Sequence, residues 1–103
     1  MRFKKADIPH KTSFGVRITG DSMTPQIHDG DIVWVEERLE IENGQIGIFT
    51  LTINSNTDSY CKKLNIEYHQ NRRVVSLLSL NPKYEPIMVS DIDGLKTVGR
   101  VLL

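Results

Sequence analysis

Tyr60-Cys61-Lys62-Lys63-Leu64-Asn65-Ile66-Glu67-Tyr68 is the stretch on which the reading of this sequence turns. Side chains on a strand alternate between two faces. One face carries Tyr60, Lys62, Leu64, Ile66 and Tyr68, apolar except for Lys62. The other carries Cys61, Lys63, Asn65, Glu67 and His69, a polar face expected to be solvated, with Cys61 small enough to sit there. A lysine on a core face has two explanations. In one, it lies near the strand end and extends its ammonium to water. In the other, the amine is held among apolar groups. Burial then disfavours the charged form and lowers its pKa, which leaves a neutral amine as a general base near neutral pH. Lys63, on the polar face, carries no such argument.

Outward from this strand the pattern stays β-like. Phe14, Val16 and Ile18 alternate with Gly15, Arg17 and Thr19, and Gly20-Asp21 stops that strand. Ser22 to Ile27 suits at most one helical turn, with Thr24 as N-cap and Pro25 at the first helical position. Asp29-Gly30-Asp31 and Asn43-Gly44 are turns on either side of a buried strand at Ile32-Val33-Trp34-Val35. Residues 45–53 form a strand, Asn54 to Ser59 a polar hairpin loop, and residues 60–68 the next strand. His69 to Arg72 turns into a strand over 73–80, and Asn81-Pro82 turns again before strands at Ile87–Val89 and Thr97–Leu102. Short strands with frequent turn signals predict an all-β fold: a compact, partly closed barrel or sandwich of mostly antiparallel strands. Residues 1–13, polar and carrying Pro9, read as a leader or linker end, and residues 14–103 as one β domain.

Composition narrows the function classes. The chain has 103 residues, 39% hydrophobic and 25% charged, enough for one domain. Thirteen Lys and Arg balance thirteen Asp and Glu, which argues against binding nucleic acid through a general basic field. No apolar run approaches the roughly 18 residues of a membrane helix. The basic start, Met1 to Lys5, lacks the apolar stretch of a signal peptide. The expectation is a cytoplasmic domain without a membrane partner. One cysteine, Cys61, forms no internal disulfide. No cofactor and no metal site is expected: His10, His28 and His69 are scattered, and Asp29 and Asp31 read as turn residues rather than a cation loop.

A basic amine implies something to deprotonate, and the candidate nucleophile is Ser22 in Gly20-Asp21-Ser22-Met23. Gly20 permits the tight backbone that ends the first strand. Amides at such a junction are often unpaired and could donate to a developing oxyanion. The plainer explanation is that Asp21 and Ser22 cap a turn, as such residues commonly do. A thiol dyad of Cys61 with His10, His28 or His69 has no supporting spacing. Arg72-Arg73 reads as a solvated hairpin end.

Taken together, these residues resemble a known family. Gly20-Asp21-Ser22-Met23-x-Pro25-x-Ile27-x-x-Gly30-Asp31-Ile32-Val33 resembles the nucleophile motif of the LexA and phage-repressor self-cleaving domains. Asn43-Gly44-Gln45-Ile46-Gly47 looks like the next strand entry of that family. Cys61-Lys62-Lys63-Leu64 is similar to its lysine strand, in which the first of two basic residues is the catalytic one. Ser79-x-Asn81-Pro82-x-Tyr84-x-Pro86-Ile87 and Val98-Gly99-Arg100-Val101 resemble its closing segments. The match runs in order from Phe14 to Val101. The face pattern and the motif select the same lysine.

The resemblance implies a Ser-Lys dyad in which Lys62 takes the proton from Ser22, with the Ser22 and Met23 amides as oxyanion donors. It implies a homodimer that follows a helix-turn-helix domain, so that operator DNA is bound only through that domain. A recombinase filament acts as co-protease in host-regulated members. Cleavage of the interdomain linker would end bivalent attachment to a two-fold operator. The family cuts at Ala-Gly or Cys-Gly, whereas Ala6 is followed here by Asp7 and Cys61 by Lys62. The expectation is therefore a C-terminal piece of a longer repressor, without its own scissile bond. Two alternatives stand beside this reading. One is a dimerisation or sensor module with a vestigial dyad. The other is a small barrel for single-stranded nucleic acid, disfavoured by zero net charge and by the expected core-facing Tyr60 and Tyr68.

Overall fold

Strand periodicity broken by glycine and asparagine turns produces seven strands, and no helix, among the described residues. The computed structural model describes residues 8–103. The first seven, with Ala6-Asp7 and part of the expected leader, lie outside the described residues. The strands are β1 (Phe14–Arg17), β2 (Ile32–Glu37), β3 (Ile46–Ile53), β4 (Asn56–His69), β5 (Arg72–Leu78), β6 (Ile87–Val89) and β7 (Gly94–Leu102). They form one sheet in the order β1-β2-β7-β3-β4-β5-β6, with every neighbouring pair antiparallel. The sheet is open, with β1 and β6 at its edges.

The central strand, β3, has both faces covered. Ile46 and Ile48 join a cluster with Val33, Val35 and Val101, capped by Ile18, Met23 and Ile27 from the loop between β1 and β2. Phe49, fully buried, joins Leu64 and Leu77 on the opposite face, with Tyr60, Ile66, Val75 and Leu95 packed around them. Burying each such side chain contributes roughly 1.5–3 kcal/mol, so two small clusters sharing one strand can hold a sheet that has no helix to pack against. A bulge distributes β7 between them. Ile48 pairs with Gly99 and Phe49 with Thr97, so Val98 is an extra residue. The bulge reverses the alternation, and Leu95 packs in one cluster while Val101 packs in the other.

Four local expectations are corrected. The loop expected over Asn54 to Ser59 is a two-residue turn, Asn54-Ser55, both with positive φ. That geometry matches the strand twist, so β4 begins at Asn56, opposite Ile53. The single helical turn starts at Met23, so Thr24 is not its N-cap. Residues 22–27 are a run of turns with one Ile27 N–H to Met23 carbonyl bond of 2.9 Å. Cys61 is not on a solvated face, because the first cluster covers that side of β4 and Cys61 packs against it. Tyr68 is 71% exposed. Beyond Lys63 strand β3 no longer pairs with β4, and the hairpin of β4 and β5 continues without it. Only Tyr60 is half-buried on the core side, which leaves charge balance as the stronger argument against a nucleic-acid groove.

Gly99 marks the tightest approach of strands. A Cβ there would lie 2.5 Å from the Glu36 carbonyl oxygen and 2.5 Å from Val35 Cγ1. Backbone cannot retreat as a flexible side chain can. Gly99→Ala is therefore expected to destabilise the fold by roughly 2 kcal/mol or more. Leu39→Ala, at a position 91% exposed, is expected to stay within about 0.5 kcal/mol of the native chain. Urea denaturation of the two variants checks this.

Candidate active site

Ser22 sits where the sequence breaks strand periodicity. Gly20 adopts φ +89°, and its N–H donates to Asp29 Oδ1 at 2.7 Å. Asp31 closes the same loop, its Oδ2 accepting from the His28 N–H at 2.8 Å. Asp29-Gly30-Asp31 is thus a turn that braces the nucleophile loop. Met23 and Ile27 anchor this loop from below, both almost completely buried. Ser22 itself is half-buried, and the amides of Ser22 and Met23 donate to no acceptor among the described residues.

The loop is held from above by residues far along the chain. The Asn81 N–H donates to the Ser22 carbonyl at 3.0 Å. The Asn81 side-chain amide donates to the Asp21 carbonyl at 3.0 Å and to Thr24 Oγ1 at 3.2 Å. Thr24 Oγ1 in turn donates to the Asp21 carbonyl at 2.9 Å. The Thr24 hydroxyl is therefore part of this cross-link rather than a helix cap. Tyr84 donates its hydroxyl proton to Asp21 Oδ1, and Lys83 Nζ lies 3.5 Å from Asp21 Oδ2. The Tyr84 hydrogen bond, followed by the Lys83 charge, holds the Asp21 carboxyl below its ordinary range. The same bond raises the Tyr84 phenol.

Lys62 lies in mid-strand on β4, opposite Gly47, and is only 7% exposed. It does not reach out to water. Nζ donates to Ser79 Oγ at 2.7 Å and lies 5.8 Å from the centre of the Tyr84 ring. Burial lowers its pKa from the ordinary lysine value, with the adjacent Cys61 opposing. Burial also pushes the Cys61 thiol up to about 11, the wrong direction for a thiolate nucleophile. Lys63 has no such surroundings. His10 and His28 are exposed on loops and His69 at the far hairpin, where it meets Glu67.

Ser22, Lys62, Ser79 and Tyr84 line one cleft of about 350 Å³. Ser22 and Lys62 also line a second cleft of about 270 Å³, together with Val16, Ile18, Met23 and Cys61. The structure thus brings together a hydroxyl, a poorly solvated amine and two unoccupied amides at one junction. Ser79, Asn81 and Tyr84 were quoted in the sequence only as parts of a closing segment. Their partners lie 17, 57, 60 and 63 residues away, beyond the reach of any local pattern.

A buried amine with a lowered pKa has a measurable signature. Between its folded pKa and the unfolded value of about 10.4, the unfolded chain binds more protons, so stability rises with pH across that window. Below the folded pKa the cost of burying the charge is present in full. Lys62→Met is expected to be more stable than the native chain at pH 7 by about 1–2 kcal/mol. The difference should narrow toward pH 10. Urea melts at both values test this. A destabilised variant, or a difference that ignores pH, would mark Lys62 as an ordinary solvated lysine.

Comparison with known proteins places the whole sequence in one family. The sequence profile of the Peptidase S24-like family matches residues 1–102. The chain is 31% identical over 103 residues to the LexA repressor of Carboxydothermus hydrogenoformans, an alignment covering 99% of this chain and 47% of that protein. The chain thus spans about half the length of this curated relative. With the family profile matched over nearly all of the sequence, and 99% of this chain aligned with part of a repressor, the chain belongs to the Peptidase S24-like family.

Proposed function

We propose that this chain is the self-cleavage and dimerisation domain of a phage-like transcriptional repressor, working as a Ser-Lys serine peptidase. The observation that carries the proposal is the Lys62 amine, withdrawn from water and opening on the same cleft as Ser22. In this mechanism neutral Lys62 Nζ takes the proton of the Ser22 hydroxyl as Oγ attacks a peptide carbonyl. The Ser22 and Met23 amides receive the oxyanion. The resulting ammonium returns its proton to the leaving amine, and water then releases the acyl group from Ser22. The substrate is a linker joining this domain to a DNA-binding domain. Operator DNA is contacted only by that second domain, and the functional unit is a cytoplasmic homodimer whose cleavage a recombinase filament promotes. Among the described residues, no helix is long and apolar enough to cross a membrane.

The test is cleavage in trans of a linker peptide containing Ala-Gly at alkaline pH. Ser22→Ala and Lys62→Ala are each expected to reduce the rate by about a thousandfold or more, with the double variant no slower, because members of one catalytic unit are non-additive. Lys63→Ala is expected to keep most of the activity. A dead Lys63→Ala beside an active Lys62→Ala would overturn the assignment. A native chain that neither cleaves a linker nor reacts with a serine-directed probe would favour a module with a vestigial dyad.

A further inference from the structure

The antiparallel register that pairs Lys63 with Leu78 carries the next residue, Ser79, across from Lys62. Ser79 lies just past the end of β5, so its hydroxyl is free of ladder geometry and turns to the amine at 2.7 Å. This is the one hydrogen bond of Lys62 Nζ among the described residues. A neutral amine has two N–H groups and one lone pair. Fixing one N–H restricts where the lone pair points, and Ser22 lines the same cleft as the amine and Ser79.

We infer that Ser79 is the positioning residue for the Lys62 amine, orienting its lone pair toward Ser22 and holding the ammonium that forms when the proton arrives. The inference rests on the reading of Ser22 and Lys62 as a reacting pair. The proton passes from Ser22 Oγ to Lys62 Nζ, and the Lys62–Ser79 contact changes from a neutral to a charge-assisted hydrogen bond. Such a bond is roughly twice as strong. Ser79 therefore contributes more after proton transfer than before it, the condition for accelerating the step. Other polar groups near the amine act differently. Arg17 of β1, Tyr60 and Cys61 of β4, Asp21 of the nucleophile loop, and Tyr84 and Glu85 face the two clefts, and none of them hydrogen-bonds to Nζ. Asp21 is already engaged by Tyr84 and Lys83.

The experiment titrates the Lys62 13Cε chemical shift in the full chain and, in parallel, measures the rate at which a fluorophosphonate modifies Ser22. Ser79 accepts from the amine and so favours its charged form. Ser79→Ala is expected to move the Lys62 midpoint to lower pH by on the order of half a unit and to slow modification about tenfold or more. Ser79→Thr, which keeps the hydroxyl, should retain the native midpoint and rate. Ser79→Val, which matches Thr in shape without the hydroxyl, should behave as the alanine variant, and it serves in its place if the alanine variant does not fold. A merely structural role would lower stability and leave the midpoint where it was. If Ser22→Ala and Lys62→Ala abolish modification while Ser79→Ala and Ser79→Val match the native midpoint and rate, the inference falls and the dyad stands. If Ser22→Ala is modified as fast as the native chain, the dyad falls and the inference with it.

Discussion

An amine placed on the core side of a sheet needs a partner, and the way this chain supplies one shapes much of its second half. Lys62 faces inward opposite Gly47, which has no side chain of its own to meet it. Its partner, Ser79, is available only because β5 runs back along β4 and ends just there. The chain then crosses the nucleophile loop, where Asn81 bonds to Ser22, Asp21 and Thr24, before returning as β6 to pair with β5. One hydrogen bond at the base and three at the nucleophile loop thus come from a segment of three residues.

The two faces of the sheet divide the work. The first cluster, under β1, β2, β7 and β3, supports the loop that carries Ser22 through Met23 and Ile27. The second, across β3, β4 and β5, supports the strand that carries Lys62 through Leu64 and Phe49. Ser22 and Lys62 therefore rest on different cores that share β3. Interiors pack too densely to deform smoothly, so the relative position of the two groups depends on that shared strand and on the segment bridging them.

The strands were legible because turn chemistry interrupts them at Gly20, Gly30, Gly44 and Asn81, and because β1 and the middle of β4 alternate between faces. The boundaries of β4 were not, since Asn56 to Ser59 are exposed on both sides and read as loop by composition. Burial of Cys61 and exposure of Tyr68 were equally hidden. Both follow from where neighbouring strands begin and end, a property of pairing rather than of the strand itself. Ser22 and Lys62 could be singled out, one as a hydroxyl at a junction, the other as a cation on an apolar face. Ser79 and Asn81 could not, because their use depends on register and on contacts formed across most of the chain. The reversal of alternation at Val98 was not read from the sequence, although Gly99 beside it is the residue type that often marks a bulge.

The bridging segment has a temporal consequence. Ser22 is synthesised forty residues before Lys62, and the contacts that tie both to the segment from Ser79 to Tyr84 form only once that segment has followed and docked. A chain still being made has Ser22 without its clamp and Lys62 without its hydrogen-bond partner. Any transient loosening of this segment in the finished molecule returns both groups to that unassembled condition. The placement of Ser22 against Lys62 is thereby tied to completion of the fold.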